Sequence, residues 1–165
     1  MVYIGFDNGT SSNGIGVVTS NQDYLLYKLP VKRELSYTKE AKHITRIDYP
    51  ELVDVLNTVR NYFDDDRFHV GLERPMVNST RFNASLSAIR TLEATLIALE
   101  FTAMPYSYID SKEWQSVLLP RGIKGSDELK KASYDVGKRL FPLANIKKDA
   151  DGLLIAEHMR RKDLR

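Results

Sequence analysis

The sequence contains no cysteine, which excludes disulfides, thiolate metal centres and a cysteine nucleophile. It has no run of about 18 apolar residues, so no membrane-spanning helix is expected. The opening Met1-Val2-Tyr3-Ile4-Gly5-Phe6-Asp7 reaches an acid too early for a secretory leader with its basic, apolar and small-residue zones. Internal repeats and low-complexity segments are also missing. A cytoplasmic protein is expected. What is present is 165 residues, 42% hydrophobic and 28% charged, the mix of a folded soluble chain and the length of one domain over residues 1–165.

The net charge of +2 conceals an asymmetry. Residues 1–111 hold 11 Lys+Arg against 14 Asp+Glu, and residues 112–165 hold 13 against 8. A basic half of this kind can bind phosphates by releasing their counterions, and it is equally what solvated helix faces look like.

Hydropathy patterning places strands at 2–6 and 14–18 around the turn-forming segment 7–14, which reads as an antiparallel pair. A third strand falls within 22–31. Residues 33–49 are polar and fit no period. Leu52, Val55, Leu56 and Val59 predict a helix over 50–63, with Pro50 in its first turn and Asp64-Asp65-Asp66 as its stop. A strand over 68–72 leads to Glu73, and 75–83 reads as a loop. Leu86, Ile89, Leu92, Leu96 and Leu99 predict a helix over 85–99 with that stripe in the core. A strand at 106–109 follows, then helices over 127–140, capped by Ser126, and over 148–161. The order is mixed α/β: three antiparallel strands, then parallel strands alternating with helices that cover both faces. That is the RNase H-like plan.

Three acids sit at element ends. Asp7 follows the first strand and Glu73 the strand over 68–72. Leu154 and Ile155 lie three and four residues after Asp151 and share its face. If they pack on the sheet, Asp151 points inward at the start of the last helix. Gathered carboxylates repel one another, and a hard divalent cation with oxygen ligands removes that cost. Two such ions, roughly 3.5–4 Å apart, activate water and stabilise the leaving oxygen of a phosphodiester. Each acid alone would more often be a turn or helix cap.

The segments Ile4-Gly5-Phe6-Asp7-Asn8-Gly9 with Gly14-Ile15-Gly16-Val17-Val18, Gly71-Leu72-Glu73-Arg74-Pro75, and Ala150-Asp151-Gly152-Leu153-Leu154-Ile155-Ala156 resemble, in order and spacing, the motifs of RuvC-type Holliday junction resolvases. The stretch from Ile109 to Pro142 is similar to their phage and organellar branch. The resemblance covers roughly residues 2–158. It implies an RNase H-like fold, a homodimer, two Mg²⁺ or Mn²⁺ ions per site, and paired symmetric nicks in four-way branched DNA. By position it implies that Asp7, Glu73 and Asp151 hold metal. The fourth acid of the family falls three residues before the last, where this chain has Lys148. Asp149 is two residues before Asp151, about 200° away on an ideal helix, and can join the site as a ligand only from a preceding turn; the alternative is that Lys148 contacts phosphate instead.

The resemblance further implies a substrate lysine at Lys130 or Lys131. It also implies DNA contacts from the loop after Glu73, where Arg74 and Arg81 can bind phosphate and Phe82 can stack on a base or tuck under the next helix. Lys124 belongs to the same basic stretch. The helix over 85–99 is implied in the dimer contact. His158 lies on the face of Asp151, and Trp114 reads as core. Two other readings compete. Another RNase H-like nuclease, acting on RNA–DNA hybrid or ribosomal RNA, would show the same acids. Asp7-Asn8-Gly9-Thr10 also resembles the phosphate loop of sugar kinases and actin-like ATPases, whose second domain 165 residues cannot hold.

Overall fold

The apolar N-terminal strands build the sheet on which the rest depends. A computed structural model describes residues 1–9, 14–37, 39, 41–63 and 67–164. Strands β1 (Val2–Phe6), β2 (Ile15–Thr19) and β3 (Tyr24–Tyr27) pair antiparallel. β6 (Phe68–Glu73) runs parallel to β1, and β7 (Tyr106–Ile109) parallel to β6. The sheet order is β3-β2-β1-β6-β7. Every residue of β1 and β2 is buried, as expected for central strands covered on both faces.

Alternation along β1 divides the core. Val2, Ile4 and Phe6 join α1 (Tyr49–Tyr62) and α2 (Phe82–Phe101) on one face. Tyr3 faces the other layer, built from α3 (Ser111–Leu118), α4 (Ser126–Leu140) and α5 (Asp151–Asp163). Helices thus cover both faces, and the RNase H-like architecture is as expected.

Several local expectations need correction. The polar segment over 33–49 forms most of a separate hairpin, β4 (Val31–Leu35) with β5 (His43–Ile47); only Ile47 of the two strands is buried, so no apolar alternation could betray it. The third strand is short and ends at Tyr27. Helix α3 was not expected at all. α2 starts at Phe82, three residues early, after a single 3-10 turn over Ser79–Arg81. Its buried positions are Ser85, Thr91, Thr95, Ala98 and Leu99, so of the predicted apolar stripe only Leu99 is fully buried. Thr91 and Thr95 tolerate burial because each hydroxyl donates to the carbonyl four residues back, Ser87 O at 3.0 Å and Thr91 O at 2.9 Å. Ile89, Ile97 and Phe101 are left in solvent. Ser126 is not a cap: α4 is preceded by Gly125 at φ +94°, and no side chain caps it. α5 begins at Asp151, not at 148. The expected stop at 64–66 and residues 10–13 of the first loop lie outside the described residues.

One packing feature sets the position of α5. Gly5 of β1 is in register with Gly16 of β2 and Gly71 of β6, giving a patch of sheet without side chains. The start of α5 rests on it. A Cβ on Gly5 would lie 2.1 Å from Gly152 O, and one on Gly16 would lie 2.2 Å from Leu153 N. Helix backbone meets sheet backbone at distances that no side chain permits.

Candidate metal centre

Because β1 and β6 are parallel with Phe6 opposite Leu72, the chain carries Asp7 and Glu73 side by side at one end of the sheet. Asp7 N–H donates to Gly14 O at 3.0 Å, closing the first loop, and Gly9 N–H donates to Asp7 Oδ1 at 3.1 Å. Asn8, itself buried, donates from Nδ2 to Glu73 O at 2.8 Å and ties the two strand ends together.

The glycine patch brings the start of α5 over this edge. Asp7, Asp149 and Asp151 each present a carboxylate oxygen, and the three lie within 4.8 Å of one another. Asp149 belongs to the turn before α5, is 3% exposed, and so escapes the angular objection raised by an ideal helix. Glu73 stands outside that set of three but interacts electrostatically with all of its members.

The electrostatics are those of crowded, desolvated acids. Burial, then the charge of Asp7, pushes Glu73 up to about 8, with Asp151 and Asp149 adding to the rise and a hydrogen bond from Trp114 opposing it. Burial also raises Asp151 to about 7, against the hydrogen bond from Ser133 and the charge of Lys130, while Asp7 and Asp149 push the same way as burial. Asp149 is raised by burial, against a backbone hydrogen bond from Asp151 and the charges of Lys130 and Lys148. Hard oxygen donors whose charged forms are disfavoured for want of positive charge fit a divalent cation. These carboxylates could hold one.

Two neutral donors fix these acids, and sequence reasoning missed both roles. Trp114 is core, as expected, but its Nε1–H donates to Glu73 Oε1 at 3.1 Å. The Ser133 hydroxyl donates to Asp151 Oδ1 and accepts the Ala150 N–H at 3.0 Å. Ser133 lies three residues after Lys130, one turn along the same face of α4; that spacing was the available signal. The signal for Trp114 was hidden with α3.

The basic candidates separate. Lys130 acts on Asp149 and Asp151, whereas Lys131 lines a groove of about 440 Å³ with Glu128, Asp135 and Arg139. Lys148 is exposed and acts on Asp149. Lys124 is exposed in the loop between α3 and α4. Arg74 contacts Asp110 Oδ1 at 3.1 Å and lies 4.9 Å from the Tyr108 ring centre. Arg81 is exposed, and Phe82, at 69% exposure, is not tucked under α2. His158 is buried at 3.5 Å from Glu113 Oε1, an environment shared with neither Asp7 nor Asp151. Among the described residues, no helix is long and apolar enough to cross a membrane.

No family model matches the chain, and no curated protein matches it in sequence. Solved structures do match it in shape. The chain is similar to T. thermophilus RuvC in complex with a Holliday junction substrate, at 15% identity and a TM-score of 0.59, covering 99% of this chain and 96% of that one. It is similar to Thermus thermophilus RuvC at 15% identity and a TM-score of 0.58, with the same coverage. The fold is therefore that of RuvC, an RNase H-like fold.

Proposed function

We propose that this chain is a Holliday junction resolvase, a crossover junction endodeoxyribonuclease whose single domain hydrolyses opposed strands of four-way DNA symmetrically during recombination, repair or DNA packaging. The observation that carries the reading is the meeting of Asp7, Asp149 and Asp151 within 4.8 Å beside Glu73. It occurs on a fold shared with a RuvC in complex with a Holliday junction. The cytoplasm of a bacterial or phage-infected cell suits this role, with an organellar origin as the alternative.

Asp7, Glu73, Asp149 and Asp151 would hold Mg²⁺ or Mn²⁺, two ions per site, which when bound supply activation of water and charge neutralisation at the phosphate. The chain's own groups prepare the site. Glu73, pushed up to about 8, is largely protonated at neutral pH, and Asp151, pushed up to about 7, is near its midpoint, until positive charge arrives. Ser133 and Trp114 fix one oxygen of each. Lys130 acts electrostatically on Asp149 and Asp151, which supports assigning it, rather than Lys131, to the scissile phosphate. Arg81, Lys124 and Lys148 present positive charge to the DNA backbone, with weaker roles for Arg74, which is shared with Asp110, and Lys131, which points into its own groove. Phe82 follows the loop after Glu73 and offers a ring for stacking on an unpaired base.

The same reading requires two copies, since symmetric nicks need a two-fold axis. The face of α2 exposes Ile89, Ile97 and Phe101 together with Glu93 and Glu100, and a second copy would cover it.

The deciding experiment incubates the protein and Mg²⁺ with a synthetic four-way junction, linear duplex and RNA–DNA hybrid. Paired nicks confined to the junction are expected. Preferential cleavage of the hybrid would convert the reading to an RNase H-type enzyme, and absence of cleavage with both Mg²⁺ and Mn²⁺ would overturn it.

A further inference from the structure

Trp114 is the only tryptophan in the chain. It is 1% exposed and packs among Ile109, Leu118 and Ile155 in the core layer under α5. A buried indole N–H needs an acceptor. Here the acceptor is an acid of the candidate metal centre, Glu73 Oε1. A cationic partner at this position would neutralise Glu73 and compete with a metal ion. A neutral N–H fixes the carboxylate without cancelling its charge, which is how hydrogen-bonding groups behind metal ligands orient them and tune their affinity.

The mount is itself anchored. On α3, Glu113 accepts a hydrogen bond from Lys162 Nζ at 3.1 Å and lies 3.5 Å from His158 Nε2. Both partners belong to α5, the helix that opens with Asp151. Glu73 is thus referenced, through Trp114 and α3, to the same helix that delivers Asp151.

We propose that Trp114 is a positioning residue: its indole N–H holds Glu73 Oε1 so that Oε2 is presented to a divalent cation shared with the three aspartates. The proposal rests on the metal-dependent nuclease reading and adds a role to a residue of the core.

A single tryptophan gives a single indole N–H resonance, so the full-length ¹⁵N-labelled chain can be titrated with Mg²⁺ while that one signal is followed. A saturable shift is expected, with the midpoint that calorimetry gives for Mg²⁺ uptake. Trp114→Phe keeps an aromatic ring and removes the donor; its Mg²⁺ affinity should fall roughly 10–100-fold. In a Glu73→Gln background the same substitution should change affinity by less than about 2-fold, because an amide, even with its oxygen held by Trp114, no longer brings a carboxylate to the ion. A purely structural tryptophan would instead lower thermal stability equally in both backgrounds and leave affinity unchanged. Wild-type affinity in Trp114→Phe, or an indole signal that ignores bound Mg²⁺, overturns the proposal and leaves the nuclease reading standing. No uptake of either Mg²⁺ or Mn²⁺ by the wild-type chain overturns both. Should Trp114→Phe fail to fold, the wild-type resonance decides alone.

Discussion

Glu73→Gln should stabilise the metal-free protein at alkaline pH while destroying its proposed catalysis. The glutamate ionises at about 8 in the fold against 4.5 in a free chain, because it is buried beside Asp7. Below pH 4.5 both folded and unfolded forms hold the proton, and pH has no leverage through this group. Between 4.5 and about 8 the unfolded chain has released its proton and the folded one has not, so stability falls with every rise in pH. Above about 8 the loss is complete, on the order of 5 kcal/mol. Glutamine carries no charge at any pH, still offers an amide oxygen to Trp114, and relieves the repulsion on Asp151. Urea unfolding in EDTA, followed by circular dichroism, should therefore find the two proteins within about 1 kcal/mol of each other at pH 5. The variant should be ahead by several kcal/mol at pH 9, roughly 10 °C or more in melting temperature for a chain of this size. Added Mg²⁺ should raise the wild type more than the variant. Stability curves that run parallel from pH 5 to pH 9 would refute the reasoning, because they would mean Glu73 is neither dehydrated nor crowded by Asp7.

Lys130→Ala should lower the single-turnover cleavage rate of a four-way junction roughly 10²-fold, while Lys131→Ala loses little beyond general DNA affinity; equal losses would show that the face of α4 is misassigned. Gly16→Ala should destabilise the fold by about 3 kcal/mol or more, since its Cβ would meet Leu153 N at 2.2 Å; chemical denaturation measures it, and a neutral result would contradict the backbone contact between α5 and β2. Ile97→Asp combined with Phe101→Asp should convert a dimer to a monomer in light scattering without lowering the melting temperature, because both side chains are exposed in the single chain; a wild type that is monomeric at micromolar concentration would remove the dimer from the proposal.

Asp7 and Glu73 were legible because each ends an apolar run, and an acid at that place is unusual enough to notice. Asp151 was legible through Leu154 and Ile155, both now fully buried. Asp149 is ambiguous for a helix that begins at 148; the start of α5 at Asp151 puts Asp149 in the turn. The rest was lost for physical reasons. α3 has eight residues, of which only Trp114 and Leu118 are buried, too few to establish a period. The hairpin of β4 and β5 has mostly wet faces and so no alternation. The apolar stripe misplaces α2 because Ile89, read as core, is in solvent, while Thr91 and Thr95, outside the stripe, are buried with their own hydroxyls satisfied. Trp114 and Ser133 reach the acids across 41 and 18 residues of chain, a distance that spacing rules do not span.

The bare glycine patch under α5 limits how this protein can move. Side chains at an interface can swap rotamers and let a helix slide; two main chains in contact have no such freedom. Asp7 and Asp151 can therefore separate only if α5 lifts off the sheet, an event equivalent to losing the core layer. Amide protons early in α5 should exchange with solvent no faster than the molecule unfolds as a whole. An active centre so stiff cannot wrap itself around its target, so on the nuclease reading the branched DNA must do the bending.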